Sequence, residues 1–364
     1  MLAPGETANL ALLGSGTVGQ AVLKRLEQWR DEPQGRGLRL VYAANTRLAL
    51  HEPDGLCPAH ARERLIQASL EKSHSEPTSI AETLGPGGIR IVIDATADAE
   101  IAKRHPELLE AGIHVATACK LATGTSLDLW RSIRDASDRN GSGFGDRATV
   151  GAGLPLLRSI RELRSGGDRI HAIAGVMSGS LAWLFDRYDG SRPFSDLVRE
   201  ARDRGYTEPD PREDLSGEDV RRKILILARA AGFAIESEEV DIRSLVPPPL
   251  RSIPRESLDG QLHLIDEPIA ALQDEARASG KRLRFVARFQ DGRASVGVEA
   301  LSPVDPIAGG NGTDNRVAIW SDRYASQPLV IQGPGAGPEV TAAALLDDVL
   351  ALRATALARG CLRR

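Results

Sequence analysis

The chain has 364 residues, long enough for two domains with sizeable cores, and its 46 Lys and Arg stand against 50 Asp and Glu for a net charge of −4. That balance argues against nucleic acid or an anionic membrane as main partner, and an aromatic content of 4% leaves no stacking platform for single strands. Cys57, Cys119 and Cys361 are few and far apart, which excludes a CxxC metal site, and the opening MLAPGETANL lacks a basic or apolar signal region, so a soluble, cytoplasmic protein is expected.

Residues 8–14 predict a short buried strand, followed by a Gly-rich turn and an amphipathic helix to about Trp29. Strands are expected at 38–44 and 89–95, then a helix near 99–111, a strand at 113–117 and a helix over about 126–138. The His-, Glu- and Ser-rich stretch 47–80 has poor periodicity and predicts surface helix and loop. Strands alternating with helices predict a parallel, doubly wound sheet, an α/β architecture. The run Gly-Ser-Gly-Phe-Gly at 141–145 marks the approach to a hinge. Beyond Gly153 the pattern changes: β-formers at 170–176 and 283–301 and helical segments at 191–205 and 217–232 predict an α+β second domain. Pro247, Pro248 and Pro249 are expected in a loop, and a final helix over about 338–359 is long enough to pack back on the first domain.

Gly14-Ser15-Gly16-Thr17-Val18-Gly19 fits G-x-G-x-x-G. The first Gly permits a tight turn, the second lets a phosphate approach the backbone, and the third allows close helix–strand packing. Free N–H groups at the helix start, from Thr17 onward, suit a pyrophosphate. The plain alternative is a Gly-rich surface turn; the apolar strand before it and the helix after it favour a Rossmann-type dinucleotide site. At the end of the second strand stand Asn45, Thr46 and Arg47, with no acid before Glu52. An acid there would hold the ribose 2′-hydroxyl of NAD, so this basic and neutral trio favours NADP, with NAD still possible.

The segment 205–220 crowds Glu208, Asp210, Glu213, Asp214, Glu218 and Asp219 into a stretch with two Pro and two Gly, which predicts a fixed, non-helical loop. Ser216 with Asp219 three residues on reads as a helix start of the capping-box kind. Asp219 and Lys223 then share a helix face beside the apolar stripe Val220, Ile224, Leu227 and Ala231, while Arg222 and Arg229 are expected toward solvent. Carboxylates beside a Lys suit a small amino-acid substrate: acids hold an ammonium, and the Lys polarises a carbonyl or moves a proton. The competing reading is a surface i,i+4 pair worth about 0.3–0.5 kcal/mol. The turn from Gly175 to Ser180 offers backbone N–H groups before a helix for a carboxylate, with Ser178 and Ser180 equally suited to plain capping.

The run GYTEPDPREDLSGEDVRRKILILAR at 205–229 strongly resembles the substrate-site signature of homoserine dehydrogenases. The resemblance extends to LLGSGTVG at 12–19, ATVGAGLPLL at 148–157 and GPGAGPEVTAAALLDDVL at 333–350, in the family's order. It implies reversible reduction of L-aspartate 4-semialdehyde to L-homoserine, within threonine and methionine biosynthesis, by a homodimer. Residues 1–153 with the C-terminal 333–364 would bind the dinucleotide, and 154–332 would bind substrate and dimerise. The length leaves no room for the aspartokinase or ACT-type domains of some relatives.

The resemblance also assigns roles. Lys223 becomes the proton donor, oriented by Asp219; Glu208 and Asp214 take the substrate ammonium, and Gly175 and Ser178 the carboxylate end. Thr96 lies against the nicotinamide ribose, and Lys120 joins the active site at the cofactor. Gly335, in the Gly-rich run before the last helix, closes over the cofactor. Three positions depart from the family: Thr117-Ala118-Cys119-Lys120 has Cys where relatives have Asn, Ser180 stands where relatives usually have Thr, and Arg147 stands where relatives place a Glu that helps the carbonyls of 150–153 hold a monovalent cation. No metal is therefore expected. The alternatives are an oxidoreductase for another amino-acid semialdehyde and a non-catalytic homologue that binds nucleotide or amino acid.

Overall fold

The computed structural model describes residues 6–71 and 80–362, so the part of the 47–80 expectation that falls on 72–79 lies outside the described residues. The chain divides into two compact units, residues 1–153 with 336–364, and residues 154–335.

In the first unit, β1 (Ala8–Leu13) runs into helix α1 (Thr17–Gln28), then β2 (Leu38–Ala44) and the short β3 (Ala49–His51). Helices α2 (Pro58–Glu71) and α3 (Ile80–Thr83) lead to β4 (Ile89–Asp94), helices α4 (Ala99–Lys103) and α5 (His105–Glu110), β5 (His114–Thr117), helices α6 (Lys120–Thr123) and α7 (Leu127–Asn140), and β6 (Phe144–Gly145). The strand order is β3-β2-β1-β4-β5-β6, parallel except for β3. The chain switches sides at the C-terminal ends of β1 and β4, the place where open α/β sheets bind ligands. Strands buried on both faces explain why β1, β2 and β4 read as nearly continuous apolar runs.

Three details differ from the sequence reading. Residues 49–51 form a strand because the Asn45 side-chain oxygen accepts from the N–H of Arg47 and of Leu48 and turns the chain back on β2. The expected helix near 99–111 is two helices, because Pro106 has no N–H to continue the ladder across Arg104. In the 141–145 run, Phe144–Gly145 adds an edge strand to β5. The C-terminal helix (Pro338–Leu362) packs Leu345, Leu346 and Val349, all fully buried, with Leu10, Leu12 and Leu23 of this unit.

The second unit contains α8 (Leu156–Ser165), β7 (Ile170–Val176), α9 (Gly179–Arg187), α10 (Phe194–Asp203), α11 (Arg212–Leu215), α12 (Glu218–Ala230), β8 (Val240–Ile242), α13 (Pro248–Arg251), α14 (Asp266–Ala278), β9 (Arg282–Gln290), β10 (Arg293–Leu301), β11 (Asp314–Ser321) and β12 (Leu329–Pro334). Its sheet has the order β12-β11-β7-β9-β10-β8, antiparallel except where β8 joins β10, with helices packed on the strands: an α+β unit. The Pro run opens the short helix α13 instead of a loop, since Pro248 sits where a helix has no N–H to satisfy. The acidic segment likewise contains a helical turn, α11, and α12 starts one residue later than a Ser216 cap requires. Its cap is Gly217 at φ 80°, while the Ser216 hydroxyl donates to the Glu213 carbonyl at 2.7 Å.

Candidate active site

Lys223 is 8% exposed, in the second turn of α12. Its Nζ donates to the Met177 carbonyl at 2.8 Å and lies 2.7 Å from Asp219 Oδ2, one turn back on the same helix. A Lys ammonium carries three N–H donors, so two contacts leave one for a further acceptor. Asp219 is half-exposed, so this pair has a buried cation at one end and an open anion at the other.

Asp214, at the end of α11, receives the Ser180 hydroxyl on Oδ1 at 2.6 Å and the Glu208 N–H on Oδ2 at 2.8 Å. Ser178 and Ser180 hydroxyls are 2.9 Å apart; as Ser180 donates to Asp214, Ser178 donates to Ser180. Burial, and secondarily the charge of Asp219, raises the Asp214 carboxyl above the usual aspartate range. The Glu208 side chain is exposed, and its backbone is what joins Asp214. Asp210 braces the loop through Arg212 at 2.6 Å, and Arg212 also donates to the carbonyls of Leu250 and Ile253. Glu218 pairs with Arg221, and Glu213 is exposed.

Two expectations on this segment change. Arg229 does not face solvent: it is 1% exposed, and its Nε and Nη2 donate to the Ile235 carbonyl, so α12 is buried all round from Lys223 to Arg229. Arg222 is half-buried. Gly175 lies inside β7, not in the turn, and a Cβ there would stand 2.7 Å from the Arg316 carbonyl oxygen and 2.9 Å from Val317, so its bareness serves strand pairing. Ser178 is the N-cap of α9, accepting from the Leu181 N–H at 3.3 Å.

Asn315, which sequence reasoning missed, is 1% exposed on β11 and donates from Nδ2 to the same Met177 carbonyl at 3.4 Å. Its Oδ1 has no partner among the described residues. Gly335 rests on this amide: a Cβ there would lie 1.9 Å from Nδ2. Its sequence neighbours Asp314 and Arg316 are charged, so no local pattern marks it, and the strand itself was not expected.

In the first unit, Gly14 has φ 90°, and a Cβ would lie 2.9 Å from both the Ala95 carbonyl oxygen and the Thr96 methyl; on Gly19 it would lie 1.9 Å from the Gly14 carbonyl oxygen. Gly16, at the N-cap of α1, has open space above it and no side-chain cap, so the N–H groups of Thr17, Val18 and Gly19 remain available to an anion. The Asn45 amide is fully engaged: Nδ2 donates to Ser15 Oγ at 2.8 Å, to the Leu65 carbonyl and to Ser69 Oγ, and Oδ1 holds the 45–48 turn. Thr46 is exposed and Arg47 half-buried at that turn. Thr96 follows β4, and Lys120 opens α6 just past β5. Cys119 is 1% exposed, and burial pushes its thiol up to about 11.

Arg147 Nε lies 3.0 Å from Oδ1 of Asp348, which is 3% exposed, and its N–H donates to Oδ2 at 2.9 Å. The Arg147 guanidinium is thus paired with a buried carboxylate, and among the described residues no group of three or more His, Cys, Asp or Glu could hold a metal. No helix among the described residues is long and apolar enough to cross a membrane.

Residues 155–350 match the family model of homoserine dehydrogenase, and 14–144 match that of the homoserine dehydrogenase NAD-binding domain. The bifunctional aspartokinase/homoserine dehydrogenase 2 of Escherichia coli (strain K12) is 38% identical over 344 residues, 93% of this chain and 42% of that protein, so the chain spans about two fifths of the length of the bifunctional relatives it matches. A homoserine dehydrogenase of Paracoccidioides brasiliensis (strain Pb18) is 34% identical over 368 residues, 95% of this chain and 98% of that protein. A Candida auris protein of unknown function has a crystal structure that superposes with a TM-score of 0.86 at 32% identity, covering 95% and 98% of the two chains. With both units matched in sequence and fold, this chain belongs to the homoserine dehydrogenase family.

Proposed function

We propose that this chain reduces L-aspartate 4-semialdehyde to L-homoserine, reversibly, preferring NADP to NAD, as a cytoplasmic homodimer. The observation that carries the reading is Lys223: a cation 8% exposed, paired with Asp219 and the Met177 carbonyl, with one N–H direction to spare. The Gly14–Gly19 turn with Thr96 and Lys120 would hold the dinucleotide, which would supply hydride to the aldehyde carbon. Lys223 turns its remaining N–H toward the aldehyde oxygen, polarises it and gives it the proton. Asp219 keeps the ammonium aimed and charged. Asp214, fixed by Ser180 and the Glu208 N–H, holds the substrate ammonium, and the exposed Glu208 carboxylate completes that charge pair. The N-terminus of α9, shaped by the Ser178 cap, receives the carboxylate, while Gly175 acts only through strand pairing.

The NADP preference rests on the absence of an acid at 45–47 and on the basic Arg47 at the turn that the Asn45 amide holds. One archaeal homoserine dehydrogenase of the same fold has been solved in complex with NADPH. The test is loss of cofactor absorbance with aspartate semialdehyde, NADPH against NADH. Turnover that is faster with NADPH supports the reading; bound NADPH without turnover overturns the activity, and a faster rate with NADH overturns the preference.

A further inference from the structure

Asp94, the last residue of β4, is fully buried, as are His105 on α5 and Thr117 at the end of β5. Its Oδ1 accepts from the Thr96 N–H at 2.9 Å and the Thr96 hydroxyl at 2.6 Å. Its Oδ2 accepts from the Thr117 hydroxyl at 3.0 Å and lies 3.0 Å from His105 Nε2. The chain of bonds continues outward at both ends. Thr117 Oγ1 accepts from the Cys119 N–H at 2.9 Å, and Thr96 Oγ1 from the Asp98 N–H at 3.3 Å.

Burying a carboxylate costs several kcal/mol or more unless every lone pair is met, so a plain packing role is better served by an apolar residue. Three donors, from Thr96 and Thr117, meet its two oxygens, and an acceptor-only carboxylate draws the fourth from a His105 tautomer with the proton on Nε2; an amide would turn its own N–H groups against one pair of them. What the carboxylate joins is specific: the loop after β4, carrying Thr96, and the turn after β5 that leads through Cys119 into Lys120 at the start of α6. Both lie at the C-terminal ends of adjacent parallel strands, where this fold binds ligands.

We propose that Asp94 is a positioning residue: its carboxylate clamps the Thr96 and Cys119–Lys120 segments into one rigid cofactor-facing edge, with His105 closing it from behind. The proposal rests on the reading that Thr96 and Lys120 face the dinucleotide. It accounts for a Thr, rather than a Val of the same shape, at the buried end of β5. It also explains how Lys120 keeps its place although the family's Asn is Cys119 here, since the backbone N–H of Cys119 is held whatever its side chain.

The test compares Thr117→Val, which keeps the shape and loses the hydroxyl, with Thr117→Ser, which keeps the hydroxyl, and with Asp94→Asn. NADPH affinity is read by protein fluorescence, kcat/KM by cofactor absorbance and folding by thermal melts. The clamp predicts that Thr117→Val weakens NADPH binding about tenfold and lowers kcat/KM about 10–100-fold, the cost of misplacing a group by about 1 Å. Thr117→Ser should stay within about threefold of the native protein on both readouts. Equal losses in the Val and Ser variants, or a lowered melting temperature with NADPH affinity and kcat/KM within about twofold, overturn the proposal. If Asp94→Asn does not fold, the Thr117 pair decides alone. A native protein that binds NADPH but does not turn over aspartate semialdehyde defeats the functional reading only, and NADPH affinity still decides the clamp.

Discussion

The Lys223 ammonium and the Asn315 carboxamide converge on one acceptor, the carbonyl oxygen of Met177, at 2.8 and 3.4 Å. A carbonyl has two lone pairs, so it can serve both donors, and each donor restricts where the other sits. The cation that performs the proposed proton transfer is thereby tied to β11 and, through the close approach of Gly335, to the end of the following strand.

Removing the ammonium tests the central role. Lys223→Ala should lower kcat by about 10²–10⁴-fold while leaving the NADPH dissociation constant unchanged. A loss below about tenfold would remove Lys223 as proton donor. Steady-state kinetics alongside fluorescence titration of the cofactor separate the two effects.

Gly335→Ala places a methyl 1.9 Å from Asn315 Nδ2, and the amide is too buried to swing away freely. The variant should lose about 1–3 kcal/mol of stability, the usual cost of overpacking. Its kcat should also fall, because Asn315 is pushed off the carbonyl that aims Lys223. Denaturant titration and kinetics at a temperature where the variant is folded check both.

Asp214 makes a pH-dependent prediction whose sign follows from its raised carboxyl. Between the ordinary aspartate value and the raised one, the folded state holds a proton that the unfolded chain has released. This group's contribution to stability therefore falls as pH rises through that window. Substrate binding runs the other way, since only the carboxylate attracts an ammonium. KM for the amino-acid substrate should climb as pH drops into that window, and Asp214→Asn should show a higher KM that no longer varies there. A native KM that is flat across the window would remove Asp214 as the ammonium's partner.

Cys119 should be chemically quiet. With its thiol raised to about 11, only about one molecule in 10³ carries a thiolate at pH ~8, and the side chain is 1% exposed. Brief alkylation of the native protein should label the exposed Cys57 and spare Cys119, as peptide mass spectrometry would show, and activity should survive the treatment.

Arg47→Ala should raise KM for NADPH about tenfold, the loss of one charge-assisted hydrogen bond to the 2′-phosphate, and leave KM for NADH nearly unchanged. Equal effects on both cofactors would place Arg47 away from the phosphate.

Legibility in the sequence followed burial. The strands β1, β2 and β4 are covered on both faces, so they are written as apolar runs bounded by Gly and polar residues, and their ends came within about a residue of the observed ones. Edge strands β3 and β6 are too short to show a period, and β11 and β12 mix charged, polar and apolar residues whose partners are distant in sequence. In the site, the Asp219–Lys223 pair was readable because four residues is one helical turn. Asn315 and Asp94 were not. Nothing in a local window says that a strand Asn will meet a carbonyl 138 positions away, or that a strand-ending Asp will face Thr117 and His105 rather than water.

The C-terminal helix has a consequence for how the protein is made. Leu345, Leu346 and Val349 complete a core whose other members, Leu10, Leu12 and Leu23, are synthesised first. The contiguous second unit can close as soon as residue 335 has left the ribosome. The first unit waits with part of one apolar sheet face uncovered until the helix Pro338–Leu362 has followed, so strands made earlier still need chaperone protection after the second unit has closed.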